Sequence, residues 1–198
     1  MMLQDAIRSR RSIRRYRPDP VPKALILSLL DAARWAPSAH NRQPWRFCVV
    51  TDAERRERLA RAMGERLRRD LTADGVPDEV IAADVGRSYA RITGAPALIA
   101  LCLSMVDMDR YPDAARSALE YHMAAQSAAM AGQNLLLAAH EAGLGACWMC
   151  APLFCPDAVR AALDLPDDWH PQALIALGYP AETKEKPRHE LERVTLWR

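Results

Sequence analysis

No run of about 18 residues in this chain is free of polar side chains, so none reads as a membrane-spanning helix. Ser9-Arg10-Arg11-Ser12-Ile13-Arg14 would pass for a twin-arginine export signal, but the apolar segment that must follow is missing and Tyr16-Arg17-Pro18-Asp19-Pro20 comes instead. These absences predict a cytoplasmic protein. Excess charge is missing too: the net value is +2, so the molecule as a whole is not an electrostatic binder of nucleic acid. Cysteines number five, and an odd count argues against a full disulfide framework. One C-x-x-C is present, Cys147-Trp148-Met149-Cys150, inside an apolar run from Ala146 to Phe154 that reads as a buried strand. Residues three apart on a strand face opposite sides, and no second C-x-x-C completes a zinc site. Buried cysteines and no metal are therefore expected. Internal repeats and low-complexity segments are absent as well.

What is there is a core. Half of the 198 residues are hydrophobic, which predicts one domain spanning 1–198. Helical patterns cover Leu3 to Arg10, a segment opened by Pro22 as its first helical residue and closed by Pro37, Ala53 to Leu71, Pro77 to Ile92, Ala114 to Glu141, and Pro156 to about Asp164. The Arg-rich face of the 53–71 helix reads as a solvated one. For the 114–141 helix, Asp113 is the expected N-cap and Gly143 the expected stop. Few charges and many small residues mark it as buried nearly all round. At 1.5 Å per residue it is about 42 Å long, more than one small domain encloses, so part of it is expected to pack on another subunit. Short apolar runs at Arg46–Val50, Ala97–Leu103, Gly145–Ala151 and Gln172–Gly178 read as strands. Together these give an α/β or α+β sheet covered by helices on both faces. The tail from Thr183 is polar and then turns apolar at Leu191, Val194, Leu196 and Trp197, as an extended arm would if it packed on something else.

Three segments carry chemistry. Arg10, Arg11 and Arg14 are near enough in sequence to surround one phosphate, to which each guanidinium can make two charge-assisted bonds. Lys186 and Arg188, two apart, point to the same side of an extended segment. Between these, Pro37-Ser38-Ala39-His40-Asn41-Arg42-Gln43-Pro44-Trp45 offers a hydroxyl and two amides, Ser38, Asn41 and Gln43, that match the alternating acceptors and donor along a flavin edge. Pro37 and Pro44 stiffen it, although Asn, Ser and Pro are also the residues of ordinary turns. A phosphate at one end and a hydrogen-bonding ring at the other describe flavin mononucleotide (FMN). Gly143-Leu144-Gly145 follows a helix, precedes a strand and lacks a third glycine, so it is not a dinucleotide fingerprint. Its glycines fit either a helix cap or a close backbone approach to a flat ring.

The same segments carry a resemblance. Arg10-Arg11-Ser12-Ile13-Arg14-Arg15-Tyr16, the Pro37–Trp45 loop, Gln133–Ala139 with Gly143-Leu144-Gly145, and Leu177-Gly178-Tyr179-Pro180 with Lys186 and Arg188 resemble, in order, the landmarks of the FMN-dependent nitroreductase superfamily. The resemblance implies an α+β three-layer sandwich with a central mixed sheet of four or five strands, and a homodimer that exchanges its C-terminal arms. It implies two interfacial FMN sites. Arg10, Arg11, Ser12 and Arg14 would hold phosphate, ribityl chain and pyrimidine edge, with Lys186 and Arg188 on the phosphate. Leu144 and Gly145 would approach the ring by backbone, Pro37, Ser38 and Asn41 would come from the second subunit, and Gln43 would join the cofactor-binding set. The implied activity is ping-pong hydride transfer through flavin N5. NAD(P)H or a reduced deazaflavin would be the donor and a second small molecule the acceptor, with Arg14 supporting the reduced ring and no side chain as catalyst. More narrowly, Met105–Asp113 and Ala146–Pro156 resemble the C-terminal flavin domain of the bifunctional glutamyl ligases that build the deazaflavin coenzyme F-420, although the ligase half is absent here. This points to reduction of a deazaflavin precursor. Nitro or quinone reduction, a non-catalytic flavin or deazaflavin carrier, and a nucleic-acid module using the arginine arm are the alternatives.

Overall fold

The computed structural model describes residues 2–198. The chain forms α1 (Leu3–Ser9), α2 (Lys23–Arg34), β1 (Trp45–Val50), α3 (Ala53–Ala73), α4 (Asp78–Thr93), β2 (Ala97–Leu103), α5 (Ala114–Glu141), β3 (Gly145–Met149), α6 (Pro156–Leu163) and β4 (His170–Gly178). The strands stand in the order β1-β2-β4-β3, and every neighbouring pair is antiparallel. The expected mixed sheet is thus corrected. Its one parallel element is an isolated bridge from Ser12 to Ala146 on the outer edge of β3, too short to be a strand.

Three layers follow from the period-2 alternation of the strands. Ile99, Leu101, Leu103, Ile175 and Leu177 face α2 and α5, while Leu98, Ala100, Cys102, Leu174 and Ala176 face α3 and α6. β2 is buried along its whole length, which is why it shows no polar alternation in sequence. α5 approaches the sheet at Gly132, where a built Cβ would fall 2.2 Å from Cζ3 of Trp148.

Helix ends follow local chemistry. Asp113 accepts the N–H of Arg116 at 2.9 Å, and Asp52 caps α3 through Arg55 at 2.8 Å, each a contribution of about 1 kcal/mol. Pro22 is the cap of α2 rather than its first helical residue. At the far end of α5, Gly143 takes φ 76°, Leu144 N–H donates to Ala139 and Gly143 N–H to His140, the paired bonds of a Schellman stop.

Two expectations need correction. The apolar run at 146–154 does not continue as a strand. It breaks after Met149 into a 3-10 turn, Ala151–Phe154, which Pro152 favours by its fixed φ, leaving Cys150, Leu153 and Phe154 exposed. Cys147 is buried as expected, but Cys150 is not. α5 is also not buried all round within one chain. It buries a single stripe, from Glu120 through Ala124, Ala128, Ala131 and Leu135 to Ala139, and leaves Leu119 64% exposed. The arm residues Leu191, Val194, Leu196 and Trp197 bury nothing on their own chain, Trp197 being 90% exposed.

Candidate functional site

The segment after α1 runs against the open edge of β3. Ile13 N–H donates to Ala146 at 3.0 Å, and Ser12 bridges the same residue. Beyond it the chain lies along the exit of β4: Arg17 N–H donates to Tyr179 at 2.9 Å, and Ala181 N–H to Arg15 at 3.0 Å. Glu182 then accepts the backbone N–H of Arg14 at 2.8 Å. The half-buried Tyr16 hydroxyl shares its one proton between the carbonyls of Ile13 and Ala176. Burial pushes its pKa well up, so it stays a donor.

These contacts bring the two ends of the chain together. Arg10, Arg11, Ser12 and Arg14 share a cleft of about 200 Å³ with Lys184, Lys186 and Arg188. Among the described residues, no guanidinium or ammonium group of Arg10, Arg11, Arg14, Lys186 and Arg188 has a carboxylate within 4.0 Å. Burial, then the Arg188 and Arg11 guanidiniums, lower the pKa of Arg10, as unneutralised cations crowded together must. The Arg11 guanidinium turns back onto the carbonyls of Arg8 and Arg10, and its Nε is buried without a partner. An orphaned donor among like charges fits the oxygens of an anion.

A second cleft of about 320 Å³ adjoins it, sharing Arg10, Arg11 and Lys184 and lined further by Ile13, Leu144, Gly145, His140 and Glu182. Its volume is that of a small-molecule site. The space beside the Cα of Gly145 is filled by Ile13 of the same chain. Leu144 and Gly145 line the cleft but are buried.

Pro37, Ser38, Asn41 and Gln43 line neither cleft. Register explains why. One end of the sheet carries Trp45, Leu103, His170 and Met149, and the other carries Val50, Leu98, Leu177 and Gly145. The loop precedes Trp45 on the β1 edge at the first end, and the cationic cleft abuts Gly145 on the β3 edge at the second. They occupy diagonal corners. The loop is held in a demanding shape, with His40, Asn41 and Gln43 at φ 49°, 54° and 49°, a conformation costing about 1–3 kcal/mol per residue. Ser38 Oγ accepts from Gln43 N–H at 3.1 Å, and Ser127 Oγ from Ala39 N–H at 3.2 Å. Arg42 pairs with Asp109 and Arg46 with Asp107, tying this loop to residues 105–113.

Sequence reasoning missed Lys184 and Glu182. Lys184 continues the every-second-residue spacing of Lys186 and Arg188, so its signal was present. Glu182 gave none, because its role depends on docking against Arg14.

The sequence profile of the nitroreductase family matches residues 7–179. The chain belongs to the nitroreductase family. This nitroreductase-family protein is 39% identical to an NADH dehydrogenase of Thermus thermophilus over 96% of its own length and 92% of the relative's. It is 33% identical to 5,6-dimethylbenzimidazole synthase of Rhodospirillum rubrum, over 93% and 84% respectively. Among solved structures, a Desulfovibrio desulfuricans nitroreductase determined in complex with FMN superposes with a TM-score of 0.76 at 29% identity, covering 100% of this chain and 97% of that one. This family member is therefore an oxidoreductase with the nitroreductase fold, and among its described residues no helix is long and apolar enough to cross a membrane.

Proposed function

We propose that this oxidoreductase binds FMN, works as a homodimer, and passes electrons from NAD(P)H to a flat, electron-poor small molecule. The observation that carries the reading is the cationic cleft, in which the charged groups of Arg10, Arg11, Arg14, Lys186 and Arg188 meet with no carboxylate paired to them among the described residues and with an orphaned Arg11 Nε. Those residues fit a phosphate monoester, which carries about −1.5 to −2 charge at pH 7. The FMN complex of the D. desulfuricans relative supports the same assignment.

Bound FMN supplies hydride transfer, the chemistry for which no side chain is needed. The chain's own residues bind and orient. Arg10, Lys186 and Arg188 hold the phosphate, Ser12 meets the ribityl chain, and Arg14 supports negative charge at the pyrimidine edge. Ser38, Asn41 and Gln43 lie at the diagonal corner, so they serve a second copy's flavin, which is what makes the dimer necessary. The exposed apolar arm and the exposed Leu119 and Tyr121 of α5 are consistent with such an interface.

Residues 105–113 are tied to that loop by Arg42 and Arg46 and so form part of the acceptor side. Their likeness to the flavin domain of the F-420 ligases supports a deazaflavin precursor as acceptor, whereas the named relatives support a broader NAD(P)H-dependent reductase. Purified protein is expected to be yellow with flavin absorption, to bleach anaerobically on NAD(P)H, and to recover colour on adding a nitroaromatic, quinone or deazaflavin. A colourless preparation that takes up no added FMN overturns the reading; bleaching without recovery on any acceptor leaves only a carrier.

A further inference from the structure

At the C-terminal end of α5, His140 faces the segment after α1 across the larger cleft. Its Nε2 lies 2.7 Å from Ser9 Oγ. Ser9 has one hydroxyl proton, and that proton is committed to the carbonyl of Asp5 at 2.6 Å, since a carbonyl can only accept. Ser9 Oγ must therefore accept from His140, which fixes the proton on Nε2 and leaves Nδ1 as a bare lone pair. Among the described residues Nδ1 has no hydrogen-bond partner.

The charges around this ring are one-sided. Arg10 and Arg11 face it from the segment after α1. Glu182 and Lys184 face the cleft from the tail, but they pair with each other at 3.1 Å and nearly cancel. β3 presents only Gly145 and Ala146 there, and α5 itself adds Leu136. A neutral imidazole is thus held beside two uncompensated guanidiniums.

We propose that His140 is coupled to the anion site through Arg10 and Arg11, which line both clefts, and that a phosphate bound on those arginines draws a proton onto His140 Nδ1. The physical cause is reciprocal. Burial, then Arg10 and Arg11, hold His140 below its ordinary value. A bound dianion cancels both arginine contributions and adds attraction of its own, so the ring gains a proton and Nδ1 becomes a donor. No covalent step is involved; the proton comes from solvent. Where the anion is the phosphate of FMN, the inference rests on the cofactor reading above.

Because the proton is taken up on binding, affinity falls as pH rises through the window between the free and bound midpoints of His140. It falls about tenfold for each unit by which the two differ. With five histidines in the chain, ring signals of histidine-labelled protein can be followed by NMR against pH, alone, with saturating inorganic phosphate, and with FMN, His140→Gln supplying the assignment. The His140 midpoint is expected to rise by about one unit or more with either ligand. Phosphate and FMN affinities of the wild type, reckoned per ligand dianion, should weaken as pH rises through the window between the depressed free midpoint, below the ordinary histidine value near 6.5, and the raised bound one, while H140Q shows a flatter profile. A midpoint that stays put beside bound FMN overturns the proposal and leaves the cofactor reading standing. A midpoint raised by phosphate in a protein that ignores FMN does the reverse.

Discussion

Ile13 occupies the space that a side chain on Gly145 would need: a Cβ built on that glycine stands 2.8 Å from Cγ2 and 2.9 Å from Cβ of Ile13. The glycine is what lets the arginine segment lie flat on the edge of β3. Gly145→Ala is expected to cost about 1–3 kcal/mol by overpacking, lowering the melting temperature by about 2–4 °C per kcal/mol, and to weaken FMN binding at the same time. Adding Ile13→Ala should restore binding beyond what additivity allows. Melting curves and flavin fluorescence titrations of the four proteins check this, and unchanged affinity in G145A would detach the glycine from the site.

Lys186 and Arg188 are exposed, so their loss is expected to act on the ligand rather than on the fold. Charge-assisted bonds to phosphate are worth about 1.5–3 kcal/mol each, and exposure places these at the lower end. The K186A/R188A variant should bind FMN roughly a hundredfold more weakly, with wild-type melting of the flavin-free protein and a shallower loss of affinity with salt. Titration at two ionic strengths separates this from a tail that merely brushes the cofactor.

The fold was legible where local rules decide it. Asp113 and Gly143 bound α5 by capping chemistry that a sequence displays, and β2 is bounded by the Pro96 and Ser104 that flank its apolar run. Pairing direction was not legible, because parallel and antiparallel strands bury the same residues, and the mixed-sheet expectation failed there. Cys150 was misplaced because an apolar run conceals the point at which Pro152 turns it out of the sheet. In the site, the cations announced themselves by clustering. What joins them does not: Glu182 meets Arg14, and Tyr16 meets Ala176, only once β4 has delivered the tail to the far side of β3.

Glu182 locks the start of that tail. Burial alone would push its carboxyl up, but the N–H groups of Arg14 and Arg15 and the Lys184 ammonium together hold it below its ordinary 4.5. A lowered folded-state value means the stabilisation is complete above 4.5 and is lost as pH falls through the depressed value. Amide exchange at residues 180–188 should therefore accelerate in acid, below the usual carboxylate range, while the β2 core stays protected. Glu182→Gln keeps an acceptor for Arg14 but cannot titrate, so its tail should show no such acid step. An identical step in E182Q would assign the lock to another group.

The diagonal placement of the Pro37–Trp45 loop and the cationic cleft makes the most discriminating prediction. If Ser38 and Asn41 act on a second copy's flavin, a dimer of S38A/N41A with K186A/R188A contains one site bearing both lesions and one bearing neither. Each parent variant should bind flavin poorly, whereas the mixed dimer, isolated through two different affinity tags, should recover about half of the wild-type flavin content at wild-type affinity. Sites completed within a single chain would give no recovery, since every site would keep one lesion. Recovery at half occupancy can come only from a ligand closed over by residues of two molecules, because no rearrangement of one sheet carries the Trp45 corner to the Gly145 corner without breaking the β1-β2-β4-β3 register.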